Sequence, residues 1–339
     1  MHSPIRTLAF AVVGIAVSIA CGCGVEPSTD EPKVDIPRII FDTDMGPDYD
    51  DVGAITVLHA LADSGECEIL ATVSSDGHST IAPTIAVFNK YFGRDSLPIG
   101  IPAPGAPDFT APNGWNDSLV TRFAPAPRHE QYPSAVGVYR KVLATQPDNS
   151  VTIVTVGFLS NISDLLDSPA DEYSTLSGID LVNAKVKLWV AMAGAFPEGS
   201  EFNINQHAAA SANAISKWPK PILFSGFEVG DKIRTGGKVA KEGPDNSPTA
   251  YAYAYNLETY TEHGEKNRQS WDQTAVLCAV REPAAYFYVN GPGRVQVRDD
   301  GYNVWDPETD AGHYFISHKY PYNRTAELID ALMLHVPQR

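Results

Sequence analysis

From residue 36 onward the chain alternates short apolar runs with segments of helical period, and that rhythm leaves few architectures open. Apolar runs this short and this continuous read as strands covered on both faces, not as amphipathic helices. They fall at 38–42, 68–74, 98–101, 151–156, 186–193 and 221–225. Helical periodicity fills the gaps at 51–62, 80–91, 135–145, 162–166 and 208–217, with two further helices at 249–260 and 271–280. Strands joined through helices run parallel, so the fold class is α/β: a Rossmann-like open, mostly parallel central sheet with helices on both faces. The stretch 285–304, rich in aromatic and β-branched residues and broken by Gly291 and Gly293, reads as a hairpin annex, and 324–335 as a closing helix. No repeat or low-complexity tract interrupts the alternation. Residues 36–339 are therefore expected to form one domain, with 43 % hydrophobic content over the chain to fill its core.

In open sheets of this kind ligands gather at the carboxyl ends of strands. The first strand ends in Asp42-Thr43-Asp44-Met45-Gly46-Pro47-Asp48-Tyr49-Asp50-Asp51. Asp42 and Asp44, two residues apart, point to the same side of the strand. Gly46 and Pro47 make a turn, and Asp48, Asp50 and Asp51 lead into a helix start, where unpaired N–H groups and the positive dipole end tolerate negative charge. Taken singly, Asp50 would serve as a helix cap, Asp42 as a turn former and the rest as a solvated loop. Five carboxylates within ten residues repel one another too strongly for that, and a hard cation relieves the repulsion. Ca²⁺, which accepts six to eight oxygens, suits this supply better than zinc. An EF-hand is excluded, because Pro47 occupies the sixth position of the loop and no glutamate the twelfth.

These residues resemble the N-terminal fingerprint of the inosine-uridine nucleoside hydrolase family, Asp-x-Asp-x-x-x-Asp-Asp followed by a helix. Three later blocks are similar to those of the family and come in the same order. They are Val154-Thr155-Val156-Gly157-Phe158-Leu159-Ser160-Asn161-Ile162, then Met192-Ala193-Gly194-Ala195 with Glu201-Phe202-Asn203, then Trp271-Asp272 at a helix start. The resemblance implies the nucleoside hydrolase fold and Ca²⁺-dependent hydrolysis of the N-glycosidic bond of ribonucleosides. It implies Ca²⁺ held by Asp44, Asp51, Asp272 and the main-chain carbonyl of Ser160, with Asp44 also the general base. Asp50, Glu201 and Asn203 would hold the sugar hydroxyls. The partner implied is a small-molecule nucleoside, and the assembly a homodimer or homotetramer. Read without the family, Ser160 and Glu201 follow apolar strands, at the edge where a ligand sits, and Asp272 arrives from a distant segment. Each also has a plain structural use: Ser160 or Asn161 as a helix cap, Glu201 and Asn203 as loop surface, Asp272 in the first turn of a helix.

The chain departs from the family pattern in several places. Two extra residues separate Asp44 from the Asp50-Asp51 pair, so either Asp48 or Asp50 is the sugar contact, with Asp42 in a supporting role. Asp76, just past the second strand, is a further sugar-binding candidate or a turn aspartate. Ser160 stands where threonine is frequent, a harmless change if only its carbonyl binds metal. Trp271 stands where some members carry a histidine acid, a change that resembles the purine-preferring branch, in which an aromatic ring stacks on the base. Purine nucleosides are the expected substrates. Trp115 is either a second stacking ring or core packing. His78, His207, His263 and His313 are the candidates for a leaving-group acid.

A net charge of −16 and the lack of any Lys/Arg cluster exclude nucleic acid as a partner. At the other end of the chain, an apolar run from Leu8 to Ala20 is too short for a permanent membrane span and reads as an export signal. Ser18-Ile19-Ala20-Cys21 resembles a bacterial lipobox, with Cys21 the lipidated residue and Cys23 the alternative. Residues 1–23 are then a lipoprotein-type signal peptide and 24–35 a tether. The protein is expected on the periplasmic or outer face of a membrane, attached only through its lipid, or else secreted. Cys67 and Cys278 sit in apolar runs and are expected to be buried free thiols. Two other functions fit part of the pattern. A haloacid-dehalogenase-type phosphatase would use Asp42 as nucleophile and Asp44 as acid, and a surface lipoprotein would bind ribosides or sugars without turnover.

Overall fold

Ile39, Ile40 and Phe41 are all fully buried, and their side chains leave opposite faces of the strand they form. Ile39 and Phe41 join an apolar cluster with Val52, Ile55 and Leu58 of the helix Asp50–Asp63, while Ile40 joins a second cluster with Tyr139, Leu143 and Leu165. The same split recurs two strands away, with Val190 on the first side and Trp189 and Ala191 on the second. Each such side chain contributes about 1.5–3 kcal/mol on burial, so the sheet is stable only if helices cover both faces. They do.

This computed structural model describes residues 36–123, 128–259 and 266–337. The proposed signal, the tether, Cys21, Cys23 and His263 lie outside the described residues. The strands are β1 (Arg38–Thr43), β2 (Glu68–Ser74), β3 (Ile99–Gly100), β4 (Val151–Thr155), β5 (Val186–Met192), β6 (Glu198–Ser200) and β7 (Ile222–Ser225). After them come β8 (Arg234–Thr235), β9 (Arg268–Gln269), β10 (Phe287–Val297), β11 (Tyr302–Asp306) and β12 (His313–His318). Ten of them form one sheet in the order β3-β2-β1-β4-β5-β7-β12-β10-β11-β6, while β8 and β9 pair separately. Every pairing from β3 to β12 is parallel; β10, β11 and β6 extend the sheet in antiparallel fashion. Because β1 lies between β2 and β4, the direction of winding reverses there, which opens a crevice at the carboxyl ends of β1 and β4.

Two expectations need correcting. The stretch 285–304 is no annex: its first strand, β10, pairs with β12, which is hydrogen-bonded in turn to β7, so this segment continues the main sheet. The hairpin of β10 and β11 is real, but β12 is a non-local partner that local alternation does not reveal. Trp115 lies in no loop. It opens the helix Trp115–Phe123 and is fully buried, so it is core packing and not a stacking ring. Cys67 and Cys278 are both buried and free.

Candidate active site

The loop after β1 is folded back on itself by its own polar groups. The Thr43 hydroxyl donates to the Asp51 carboxylate, and the Met45 amide donates to both Thr43 Oγ1 and Asp51 Oδ1 at 3.0 Å. Met45 takes a left-handed φ of 49° to make this turn, a conformation that non-glycine residues adopt only when their surroundings fix it. Those surroundings come from the helix that Trp115 opens. Trp115 Nε1 donates to the Pro47 carbonyl at 3.2 Å and Asn116 Nδ2 to the Met45 carbonyl at 3.0 Å. Asp44 and Asp51, seven positions apart, thereby come close enough for each charge to raise or relieve the other's.

Beneath them Asp42 is fully buried and accepts from the Tyr139 hydroxyl at 2.8 Å and from Asn161 Nδ2 at 3.0 Å. Asn161 also donates to the Ser74 carbonyl, so Asp42 and Asn161 tie the ends of β1, β2 and β4 together. Ser160 opens the helix Ser160–Asp167 and is buried, with a hydroxyl that has no hydrogen-bond partner. Gly157, three residues earlier, lies against Asp44: a Cβ there would stand 2.3 Å from the Asp44 amide nitrogen and 2.4 Å from Ser75 Oγ. Gly157→Ala is therefore expected to push Asp44 out of place and, if a divalent cation is held here, to weaken its binding at least about tenfold, a loss of roughly 1.4 kcal/mol. Calorimetric titration of the folded variant checks this, and unchanged affinity would show that the Asp44 main chain can shift freely.

Asp50 and Asp272 meet across two helix starts. Asp50 Oδ2 accepts from the amides of Trp271 at 3.1 Å and Asp272 at 3.3 Å, so the carboxylate that begins one helix caps another, Trp271–Val280. One oxygen each from Asp48, Asp50 and Asp51 lies within 4.8 Å of the other two. Glu201 accepts from the amides of Asn203 at 2.8 Å, Gly194 at 3.0 Å and Ile204 at 3.2 Å, which caps the short helix Phe202–Asn205. Asn203 Nδ2 donates to the carbonyls of Val156 and Met192, spanning the ends of β4 and β5.

These groups face one cavity of about 230 Å³. Asp44, Asp48, Asp50, Glu201, Asn203, Arg268 and Asp272 supply its polar wall, and Val156, Met192, Phe202, Phe227 and Trp271 the rest. A volume at or below the usual range of small-molecule sites suits a compact ligand and not a polymer. Asp51 is not part of the wall, but one of its oxygens lies within 4.8 Å of those of Asp48 and Asp50. Asp76 does not line the cavity. Its carboxylate is committed to the amides of His78 and Phe109 in a turn, although its charge is felt at Asp44. Trp271 does line the cavity, but its ring is already stacked on Phe227 and lies under the Arg268 guanidinium, 5.0 Å away. The rings most open to a ligand are Phe227, 46 % exposed, and Phe202, 43 % exposed. Sequence reasoning passed over Arg268 and Phe227, since neither belongs to a spaced pattern.

Burial raises Asp42, Asp44, Asp50, Asp51, Asp76 and Asp272 above the ordinary aspartate value near 3.8. For Asp44, Asp50, Asp51 and Asp272 desolvation is the first cause and the neighbouring aspartates the next; Arg268 opposes the rise at Asp50, and hydrogen bonds from Thr43 and Met45 oppose it at Asp51. Asp42 and Asp76 are each pushed up to about 7, again by burial first. A divalent cation would remove this penalty. The donor set fits one: it is all oxygen, it is buried, and Asp51 Oδ2 has no hydrogen-bond partner. Among the described residues, the carboxylates whose oxygens come within 4.8 Å of one another are those of Asp48, Asp50 and Asp51, with Asp44 and Asp272 in electrostatic reach of Asp51.

Solved structures with the same architecture include a plant nucleoside hydrolase, with a TM-score of 0.64 and 19 % identity over 88 % of this chain and 99 % of that one. An inosine-uridine preferring nucleoside hydrolase from Bacillus anthracis gives 0.65 and 15 % over the same shares. A purine-preferring ribonucleoside hydrolase from Gardnerella vaginalis gives 0.65 and 19 %, also over 88 % and 99 %. At such identities the likeness is one of fold. A search of curated proteins by sequence returns no match. A family model described as inosine-uridine preferring nucleoside hydrolase matches residues 39–327, nearly the whole of the described chain. The protein belongs to that family of metal-dependent hydrolases, which act on the N-glycosyl bonds of nucleosides.

Proposed function

We propose that the chain hydrolyses the N-glycosidic bond of ribonucleosides with Ca²⁺ as its cofactor, and that purine nucleosides are its preferred substrates. The observation that carries this reading is the meeting, at the switch point of the sheet, of the Asp44, Asp51 and Asp272 carboxylates with Glu201 and Asn203. Asp44, Asp51, Asp272 and the Ser160 carbonyl would hold the ion. Bound there, Ca²⁺ supplies Lewis acidity and a fixed positive charge beside the sugar hydroxyls.

Asp44 accepts a proton from the water that attacks the anomeric carbon, as general base. The C–N bond breaks, its electron pair leaves with the base, and the ribosyl group carries developing positive charge. The surrounding carboxylates stabilise that charge more in the transition state than in the ground state. Asp50, Glu201 and Asn203 hold the sugar hydroxyls and so lower the entropic part of the barrier. Asp50 suits this role better than Asp48, because it is buried where it lines the cavity while Asp48 is half-buried and paired with Arg268. Phe202 and Phe227 offer faces for a flat base, with Trp271 behind Phe227, and a purine gains more from such stacking than a pyrimidine does. Export through residues 1–23, lipidation at Cys21, a tether over 24–35, a single catalytic domain from 36 and a homodimeric or homotetrameric assembly complete the proposal.

A reducing-sugar assay with inosine, guanosine, adenosine and uridine tests it. Ribose release in the presence of Ca²⁺ is expected from the three purine nucleosides at a higher kcat/KM than from uridine, and is abolished by chelator. Release of no ribose from any of them would sink the enzymatic reading, and release that persists in chelator would sink the role of the ion.

A further inference from the structure

The two extra residues after Asp44 bring Asp48 up beside Asp50 and Asp51, where three oxygens lie within 4.8 Å of one another. Set against the carboxylates proposed to hold the catalytic ion, this makes two overlapping acidic sites that share Asp51. Like charges so close together, two of them buried, would draw in a second cation unless something else neutralised them.

Something else stands there. The Arg268 guanidinium pairs with the Asp48 carboxylate and lies 3.6 Å from Asp50 Oδ1. It is backed by two rings, Trp271 at 5.0 Å and Tyr49 at 5.4 Å, which hold a planar cation by its face. Its main chain is fixed as well, since β9 pairs with β8 through Thr235 opposite Arg268, and Ser270 Oγ and Thr235 Oγ1 share a hydrogen bond of 2.7 Å. Asp51 Oδ2, by contrast, is buried without a hydrogen-bond partner, so of the three carboxylates Asp51 is the one left for a metal.

We propose that Arg268 is a positioning residue that acts as a resident cation: it fills the Asp48–Asp50 side of the cluster, limits the site to one divalent ion, and keeps Asp50 turned toward the sugar. This inference rests on the metal-binding reading above. Without the guanidinium, Asp48 and Asp50 are free to bind a second ion together with Asp51.

Equilibrium dialysis of the full chain against Ca²⁺ alone tests the proposal. The wild type is expected to bind one ion per chain, Arg268→Gln two, and the double variant Arg268→Gln with Asp48→Asn one again. Arg268→Lys, which keeps the charge, is expected to stay at one. Two ions on the wild type would overturn the proposal whether or not the variants fold, and a single ion on folded Arg268→Gln would overturn it too. If the wild type binds no ion, the metal reading itself fails, a distinct outcome.

Discussion

Asp44→Asn is expected to lower kcat for ribose release by at least about 10³-fold while the ion-free protein becomes more stable. The loss follows from two duties carried by one carboxylate. A general base contributes on the order of 10²–10⁴-fold, and in the mechanism proposed above Asp44 would also help to hold the ion. The gain in stability follows from what Asp44 costs: it is buried, and Asp51, Asp48 and Asp76 all raise its pKa further, so a neutral amide of equal size relieves repulsion at three neighbours. A residue kept for the fold would behave in the opposite way, with stability falling and activity following it. Single-turnover kinetics and thermal unfolding on the same preparation check both halves. Turnover like that of the wild type in a folded Asn variant would defeat the mechanism.

The second large effect is on stability itself. With chelator present, melting temperature is expected to fall as pH rises from about 4 to about 8, by on the order of 10 °C. The sign comes from the direction of the shifts. In the unfolded chain these aspartates lose their protons near 3.8, whereas the folded protein retains them until about 7 at Asp42 and Asp76, and well above 3.8 at Asp44 and Asp272. The folded state therefore binds more protons across that window, and the stability present below pH 4 is lost as pH passes through the folded values. A shift of one unit corresponds to about 1.4 kcal/mol, so the Asp42 displacement alone accounts for roughly 4 kcal/mol. Added Ca²⁺ is expected to reverse the trend, with a large upward shift in melting temperature at pH 8 and almost none at pH 5, where protons compete for the same oxygens. Differential scanning calorimetry at both pH values gives the answer. A flat profile in chelator would mean that the carboxylates are solvated and not held together.

The central strands were legible because a parallel strand buried on both faces has a sequence form of its own. Ile39-Ile40-Phe41 and Val186 to Met192 cannot be stable anywhere but inside a sheet. The site was legible where carboxylates crowd after such a strand, and where later blocks fall at other strand ends. What stayed hidden was set by long-range geometry. His313–His318 has no local mark to say that it bridges β7 and β10. Trp115 follows a Gly/Pro-rich stretch that reads as loop, yet its ring is needed inside to hold the Pro47 carbonyl. Arg268 is an ordinary arginine in sequence; only its placement between Asp48 and the Trp271 ring gives it meaning.

The cap that Asp50 places on the helix Trp271–Val280 bears on any attempt to retune selectivity. The side chain proposed to contact the sugar also anchors the scaffold segment that carries Asp272 and the Trp271 ring, so libraries randomised at position 50 would mix catalytic failures with collapsed folds. Phe202 and Phe227, which present open faces and cap nothing with their side chains, are the positions where diversity could be explored with the framework left standing.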